Sequence, residues 1–199
     1  MKKCIILGCL LLANTFAFSQ DVLTPKNSKF SIGPTFGYGG SYIMPYHSEF
    51  FPSWNVGITS IYAPYEHFGV GVDVRYSAEG ARFKINEGES TRTTELNYIR
   101  VPVKAIVFFR SYENDFRPKL TVGPSFGFLV SENDPYDAKA WPFDAGVNAS
   151  IGFNYRIKSA IWLNTDINFY QGLTDVRKES GVQERNGNIG LNLGIAFGL

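Results

Sequence analysis

The feature that most constrains this chain is a two-residue alternation of apolar side chains. In the segment that begins at Phe30, the side chains of Ile32, Phe36 and Tyr38 share one face, while glycine, serine and threonine occupy the other. Strands place successive side chains on opposite faces, so this alternation predicts strands rather than helices. The pattern recurs in about eight segments, within residues 30–38, 54–62, 68–76, 99–109, 120–130, 143–153, 161–169 and 189–199.

The placement of charge indicates what surrounds these strands. The apolar faces carry no Asp, Glu, Lys or Arg, whereas the opposite faces carry Asp73, Arg75, Arg100, Lys104, Asp144 and Asp166. A charge on the lipid face at the bilayer midplane costs about 2–4 kcal/mol, which accounts for its absence there. The pattern predicts an all-β fold, an eight-stranded antiparallel transmembrane β-barrel of the outer membrane. A secreted sandwich or lipocalin-like barrel stays the alternative, because water-facing antiparallel sheets alternate as well.

The first residues have the layout of an export signal. Lys2 and Lys3 precede an apolar run, and the small-residue pattern around Ala17 and Ser19 follows it. We expect residues 1–20 to be a cleaved signal peptide and residues 21–199 to form the barrel domain. An N-terminal membrane anchor and lipidation at Cys9 are the alternatives. Cleavage would remove Cys4 and Cys9 and leave no thiol or disulfide.

The net charge argues against nucleic acid as a partner. Without Lys2 and Lys3, 17 basic residues face 18 acidic ones. This balance gives no electrostatic basis for binding nucleic acid.

Connection lengths predict the orientation of the barrel. With the N-terminus in the periplasm, the outer connections fall near residues 40–53, 79–94, 131–141 and 171–187. The inner connections fall near residues 63–67, 111–118 and 156–159. Long outer loops and short periplasmic turns are typical of outer-membrane barrels.

One phrase is written twice, as SIGPTFGYGG at residues 31–40 and TVGPSFGFLV at residues 121–130. Proline cannot donate to a strand ladder, and a closed barrel has no edge strand on which to place it. We expect a bulge or a local break in pairing at Pro34 and Pro124. The repeat predicts equivalent strands rather than a ligand motif.

Several longer stretches carry a family resemblance. The segments YSAEGARF, YIRVPVKAIVFF, VGPSFGF and NIGLNLGIAFGL, with FSQ at the end of the signal, resemble the PorT-like outer-membrane β-barrel family of Gram-negative bacteria. This resemblance covers essentially the whole mature chain and implies an eight-stranded barrel in outer-membrane lipid. The named member of that family takes part in type IX protein secretion, which implies secretion-system proteins as partners.

The last residues also resemble the terminal signal of outer-membrane barrels. Asn192, Gly194, Phe197 and Leu199 fill its polar, glycine and hydrophobic positions, with Leu199 where Phe is commoner. The resemblance implies recognition by the barrel-assembly machinery.

No catalytic, cofactor-binding or metal-binding set is predicted. His47 and His67 fall on opposite sides of the predicted membrane, so they cannot share a general-base site. Glu132, Asp134 and Asp137 could coordinate a hard cation, but they lack the spacing of an EF-hand loop. A solvated turn around Asp134 and Pro135 is the favoured interpretation.

The six inward charges are balanced, three acidic and three basic, and an eight-stranded barrel encloses only enough room for side chains. We therefore expect an internal charge network rather than a substrate site. The predicted function is non-enzymatic, structural or interaction-based, and associated with type IX-like secretion. Transport of small hydrophobic molecules is the alternative, and a lipid-modifying enzyme is a disfavoured third hypothesis.

Overall fold

The chain closes into a barrel of eight antiparallel strands. The computed structural model describes residues 28–45, 48–85, 90–134, 139–178 and 182–199. Each strand pairs with the next, and the last strand pairs with the first. The predicted fold class is therefore confirmed. The strands are β1 Phe30–Met44, β2 Phe51–Tyr62, β3 Phe68–Ile85, β4 Ser90–Phe108, β5 Phe116–Asn133, β6 Phe143–Lys158, β7 Ile161–Gly172 and β8 Arg185–Gly198.

The alternation of the sequence becomes an alternation of burial. Asp73 is 4% exposed and faces the lumen, whereas its neighbour Val74 is 53% exposed on the outer wall. The outer wall is a band of exposed Val, Ile, Leu, Phe, Tyr and Trp side chains drawn from all eight strands. Such an inverted distribution, with apolar groups outside and polar groups inside, is the pattern of a lipid-embedded barrel. The described residues contain no helix of the length and hydropathy that a membrane crossing needs.

The two ends of the barrel differ in their connections. At one end, here called the loop end, the connections are residues 45–50, 86–89, 134–142 and 173–184. At the other, the turn end, they are residues 63–67, 109–115 and 159–160. The expected long connection over residues 79–94 is wrong, because β3 and β4 stay paired as far as Ile85 and Ser90. The wall therefore continues past the apolar band on the β3–β5 side.

Both repeated Gly-Pro pairs interrupt a ladder without shifting it. Pairing of β1 with β8 skips Gly33 and Pro34 and then resumes in unchanged register. Pairing of β4 with β5 skips Gly123 and Pro124 in the same way. The expected local break is present at both prolines, since neither has an N–H to donate.

The glycine in each pair has its own geometric reason. A Cβ on Gly33 would lie 1.8 Å from the carbonyl oxygen of Ile195. A Cβ on Gly123 would lie 2.0 Å from that of Val103. Only a residue without a side chain lets the neighbouring backbone approach so closely. The repeated phrase thus meets the same packing requirement on two strands that run in the same direction.

Buried apolar side chains form a cluster at each end of the lumen. The sequence pattern predicted only small or polar side chains on the inner face. At the loop end the buried cluster includes Ile43, Leu96, Tyr98 and Val176. At the turn end it comprises Ile61, Ala63, Ile106 and Phe108, with Tyr112 packed against it. The charged part of the lumen lies between these two clusters.

Candidate functional site in the barrel lumen

The first group of lumen charges, here called the loop-side cluster, centres on Arg100 of β4. Its guanidinium makes a bidentate ion pair with Glu79 of β3 and donates from Nη2 to Oδ2 of Asp144 on β6 at 2.8 Å. The rings of Tyr98 and Tyr170 lie on it, with centroids 4.6 and 4.1 Å from the guanidinium carbon. Arginine suits this position because its planar fork serves two carboxylates while its faces stack on aromatic rings.

The carboxylates of the loop-side cluster are also satisfied by neutral donors. Asp144 is fully buried and accepts hydrogen bonds from the hydroxyls of Tyr170 at 2.9 Å and Thr174 at 2.8 Å. Glu79 accepts from the Ser77 hydroxyl at 2.7 Å and from Nδ2 of Asn186 at 3.2 Å. These donors compensate the buried carboxylate oxygens for lost hydration.

The second group, here called the mid-lumen cluster, consists of Asp73, Arg75, Lys104, Lys119 and Asp166. The Lys104 ammonium lies 2.7 and 2.9 Å from the two carboxylate oxygens of Asp73. Lys119 lies 3.0 Å from Asp166. Arg75 approaches Asp73 only to 3.7 Å, which is beyond hydrogen-bonding distance.

A cavity of about 20 Å³ lies within the mid-lumen cluster. All five charged side chains of the cluster line it, together with Asn164 and other hydroxyl and amide side chains. Both amide atoms of Asn164 are buried without a hydrogen-bond partner. A polar cavity of this size holds about one water molecule or an ion of similar size.

An aromatic and cationic group, here called the turn-end plug, closes the lumen below. The Arg117 guanidinium stacks between Phe108 and Tyr112, with centroids 3.9 and 4.3 Å away. It donates to the backbone carbonyl oxygens of Arg110 at 3.1 Å and Glu66 at 2.7 Å. Burial raises the pKa of the Tyr112 phenol, whose hydroxyl donates to the Ala63 carbonyl, so this group stays neutral at physiological pH.

A third charged network lies at the loop end around Asp134. Its side chain is 3% exposed and lies 2.7 Å from Arg92 and 3.1 Å from Arg177. Arg177 also pairs with Glu184 at 2.7 Å, and burial is the main reason that the pKa of Glu184 is raised. The expectation of a solvated turn is wrong for the Asp134 carboxylate, because this carboxylate is buried at the barrel rim in ion pairs with Arg92 and Arg177. Glu132 accepts the backbone N–H of Ala140 at 2.7 Å, and Asp137 lies outside the described residues.

Known proteins bear on this architecture. Residues 18–178 match the outer membrane protein beta-barrel domain family. The chain belongs to this family. Membership of this outer-membrane family indicates an outer-membrane location, while residues 1–20, the expected signal peptide, lie outside the described residues.

Two solved structures share the fold of this outer-membrane barrel. The outer membrane protein OprG from Pseudomonas aeruginosa is 13% identical, with a TM-score of 0.58 over 89% of this chain and 97% of that one. Neisserial surface protein A is 12% identical, with a TM-score of 0.56 over 86% of this chain and 98% of that one. No curated protein is significantly similar to the chain in sequence.

All six charges predicted for the lumen of this family member lie there, but the pairing includes residues that the prediction omitted. Asp166 pairs with Lys119, and Arg100 pairs with Glu79 as well as Asp144. Glu79 and Lys119 lie just outside the segments first assigned as strands. Extending the same two-residue period along β3 and β5 would have placed both of them on the inner face.

The expected assembly residues lie along β8. The side chain of Asn192 lies inside the barrel, where its Oδ1 accepts a hydrogen bond from Asn55 at 3.1 Å. Phe197 and Leu199 are exposed on the outer wall, and the Leu199 N–H donates to Phe30 at 2.9 Å. Gly194 pairs with both Thr35 and Asn164 on the neighbouring strands.

Among the described residues, no group of three or more His, Cys, Asp or Glu side chains is arranged to hold a metal ion. Nδ1 of His67 lies 2.9 Å from the Phe108 carbonyl oxygen, and His47 lies outside the described residues. What the lumen does chemically is to pair charges and fill space.

Proposed function

We propose that this barrel is a non-enzymatic interaction protein of the outer membrane, PorT-like, that serves protein secretion of the type IX kind. The filled lumen is the observation that carries the proposal. Arg100 joins β3, β4 and β6 across the interior, and Arg117 seals the turn end against aromatic rings. A barrel whose lumen is filled by the side chains of its described residues acts through its surfaces, which favours proteins and lipid as its partners.

Exposed apolar groups at the loop end support a protein partner there. Phe50, Trp141 and Leu173 are 61%, 46% and 59% exposed and belong to three different connections. Large apolar side chains that remain exposed on loops are common in protein interfaces. The balanced charge, by contrast, offers nothing to nucleic acid.

A strain that lacks the protein tests the secretion role. We expect exported cargo to accumulate in the periplasm and to fall in the culture medium. Complementation with a Phe50→Ser, Leu173→Ser double variant should fail, since it removes apolar contacts at the loop end. Tyr65→Ser is the matched control, because Tyr65 is 69% exposed at the turn end. Normal secretion in the deletion strain would overturn the proposal.

Transport of small hydrophobic molecules is the competing function. It requires an open lumen or wall, whereas the two cavities described above are about 20 Å³ each. We expect the purified protein to be nearly silent in planar-bilayer recordings. Steady, large conductance would place transport first.

A catalytic role, such as lipid modification, lacks a comparable basis. The ring of His67 contacts a backbone carbonyl oxygen, and the lumen carboxylates are held in ion pairs. General-base catalysis needs a group free to take a proton from a substrate.

Insertion through the barrel-assembly machinery is tested at the last strand. Phe197→Ser with Leu199→Ser removes two exposed apolar side chains that an assembly factor would read. We expect this variant to remain in the periplasm. Unchanged yield in the outer membrane would show that residues 192–199 are not the signal.

Orientation is tested separately with inserted protease sites. A site near Gly88 or Gly181 should be cut by external protease in intact cells, whereas one near Asn114 should be protected. The reverse result would place the turn end outside.

A further inference from the structure

The mid-lumen cluster carries one positive charge more than it can pair internally. Arg75, Lys104 and Lys119 face two carboxylates, those of Asp73 and Asp166. Among the described residues, no hydrogen bond or ion pair joins this cluster to the loop-side cluster, where Glu79 and Asp144 face Arg100. The excess cation therefore sits in the same cavity as the unpartnered amide of Asn164.

Arg75 is the cation without a close partner. Its side chain is 7% exposed, it lines the cavity, and its single ion-pair contact within the described chain is the 3.7 Å approach to Asp73. Lys104 and Lys119, by contrast, have carboxylate oxygens within 3.0 Å. A buried guanidinium that donates no hydrogen bond to protein is strongly unfavourable unless an acceptor occupies the space in front of it.

Asn164 supplies a second, independent indication. Its Nδ2 and Oδ1 atoms are both buried and unpartnered, and they border the same cavity as Arg75. An amide N–H and a guanidinium that converge on one small polar cavity form a donor set for an anion. A multivalent anion would exceed the single excess charge, and an organic one would exceed the volume of about 20 Å³.

Another cavity lies at the turn end. This second cavity has a volume of about 20 Å³ and is lined by Lys29, Arg117 and Asn154, with no carboxylate among its described lining residues. Asn154 lies directly opposite Asn164 in the β6–β7 ladder, so an amide side chain borders each of the two cavities.

We infer that the mid-lumen cavity is a binding site for one small monovalent anion of about the size of chloride, held by Arg75 and Asn164. The anion completes the pairing of the mid-lumen cluster.

Thermal unfolding in detergent tests this with chloride as the probe. Sodium chloride is compared with sodium gluconate at equal ionic strength, because gluconate is too large for the cavity. Above the dissociation constant, each tenfold rise in chloride should raise Tm by about 3–6 °C. Arg75→Gln should abolish this dependence, whereas Arg185→Gln, which removes an exposed arginine of β8, should retain it.

Crystals grown in sodium bromide give a direct readout that does not depend on any variant folding. We expect an anomalous peak inside the mid-lumen cluster, within hydrogen-bonding distance of the Arg75 guanidinium. Bromide peaks confined to the outer surface, or equal Tm values in chloride and gluconate, would overturn the inference and leave water as the occupant.

Discussion

The loop-side and mid-lumen clusters solve the same problem of burying charge in opposite ways. Around Arg100 lie two carboxylates, two tyrosine rings and the Ser77, Thr174 and Asn186 side chains, although Nη1 of Arg100 and the Tyr98 hydroxyl are buried without a partner. Around Arg75, a cavity remains and the Asn164 amide has no partner. The clusters therefore differ in space rather than in complete hydrogen bonding: the cavity borders the mid-lumen cluster, and we expect it to hold water or an ion.

The largest expected loss of stability is at Arg100, in the centre of the loop-side cluster. Arg100→Ala leaves Glu79 and Asp144 buried without their cation, and breaking such a buried pair costs about 3–5 kcal/mol. Equilibrium unfolding in detergent measures this loss. Arg185→Ala is the control, because Arg185 is exposed and should cost little. A loss equal to that of the control would mean that the loop-side cluster is hydrated. The two clusters would then not differ in hydration.

The corresponding change in the mid-lumen cluster should reduce the free energy of unfolding less. Lys104→Met removes the closest cation from Asp73, but Arg75 and the Thr59 hydroxyl, 2.7 Å away, still face that carboxylate. We expect a loss of about 1.5–3 kcal/mol, in the range for hydrogen bonds to charged groups. The same unfolding measurement decides. A loss larger than that of Arg100→Ala would mean that the mid-lumen cluster is the less hydrated of the two.

Two buried asparagines provide a matched pair across the comparison. Asn186 donates to Glu79 at 3.2 Å, whereas Asn164 has no partner within the described chain. Asn186→Ala should therefore cost about 1–2 kcal/mol. Asn164→Ala should cost less, measured in gluconate so that anion binding does not contribute. Equal losses would contradict the difference in packing.

The smallest effect concerns pH and lies at the rim, outside both clusters. Burial raises the pKa of Glu184 above its value in the unfolded chain, although Arg177 partly opposes this. The contribution of Glu184 to stability is then complete below the unfolded pKa and is lost as pH rises through the folded pKa. Glu184→Gln should gain stability relative to the parent protein as pH rises from about 4 to 7. A constant difference in Tm across that range would contradict the raised pKa.

The sequence by itself determined the strands, their number and which face of each strand meets lipid. These follow from a two-residue period that is local, so Val74 and Asp73 reveal their opposite environments without knowledge of any neighbour. The Gly-Pro pairs likewise indicated breaks in pairing, because a missing N–H is a property of proline alone. The ends of β3 and β4 were missed, since polar residues 79–94 resemble a loop until their pairing is known.

Only the tertiary structure decided which charges meet. Glu79, Arg100 and Asp144 come from three strands, and Asn186 joins them from 107 positions along the chain from Glu79. Their meeting depends on the register of every ladder between them and on closure through β1 and β8, which no local pattern encodes. For the same reason the cavity beside Arg75 could not be anticipated. Its space is what remains after side chains from opposite walls of the closed barrel have filled the rest.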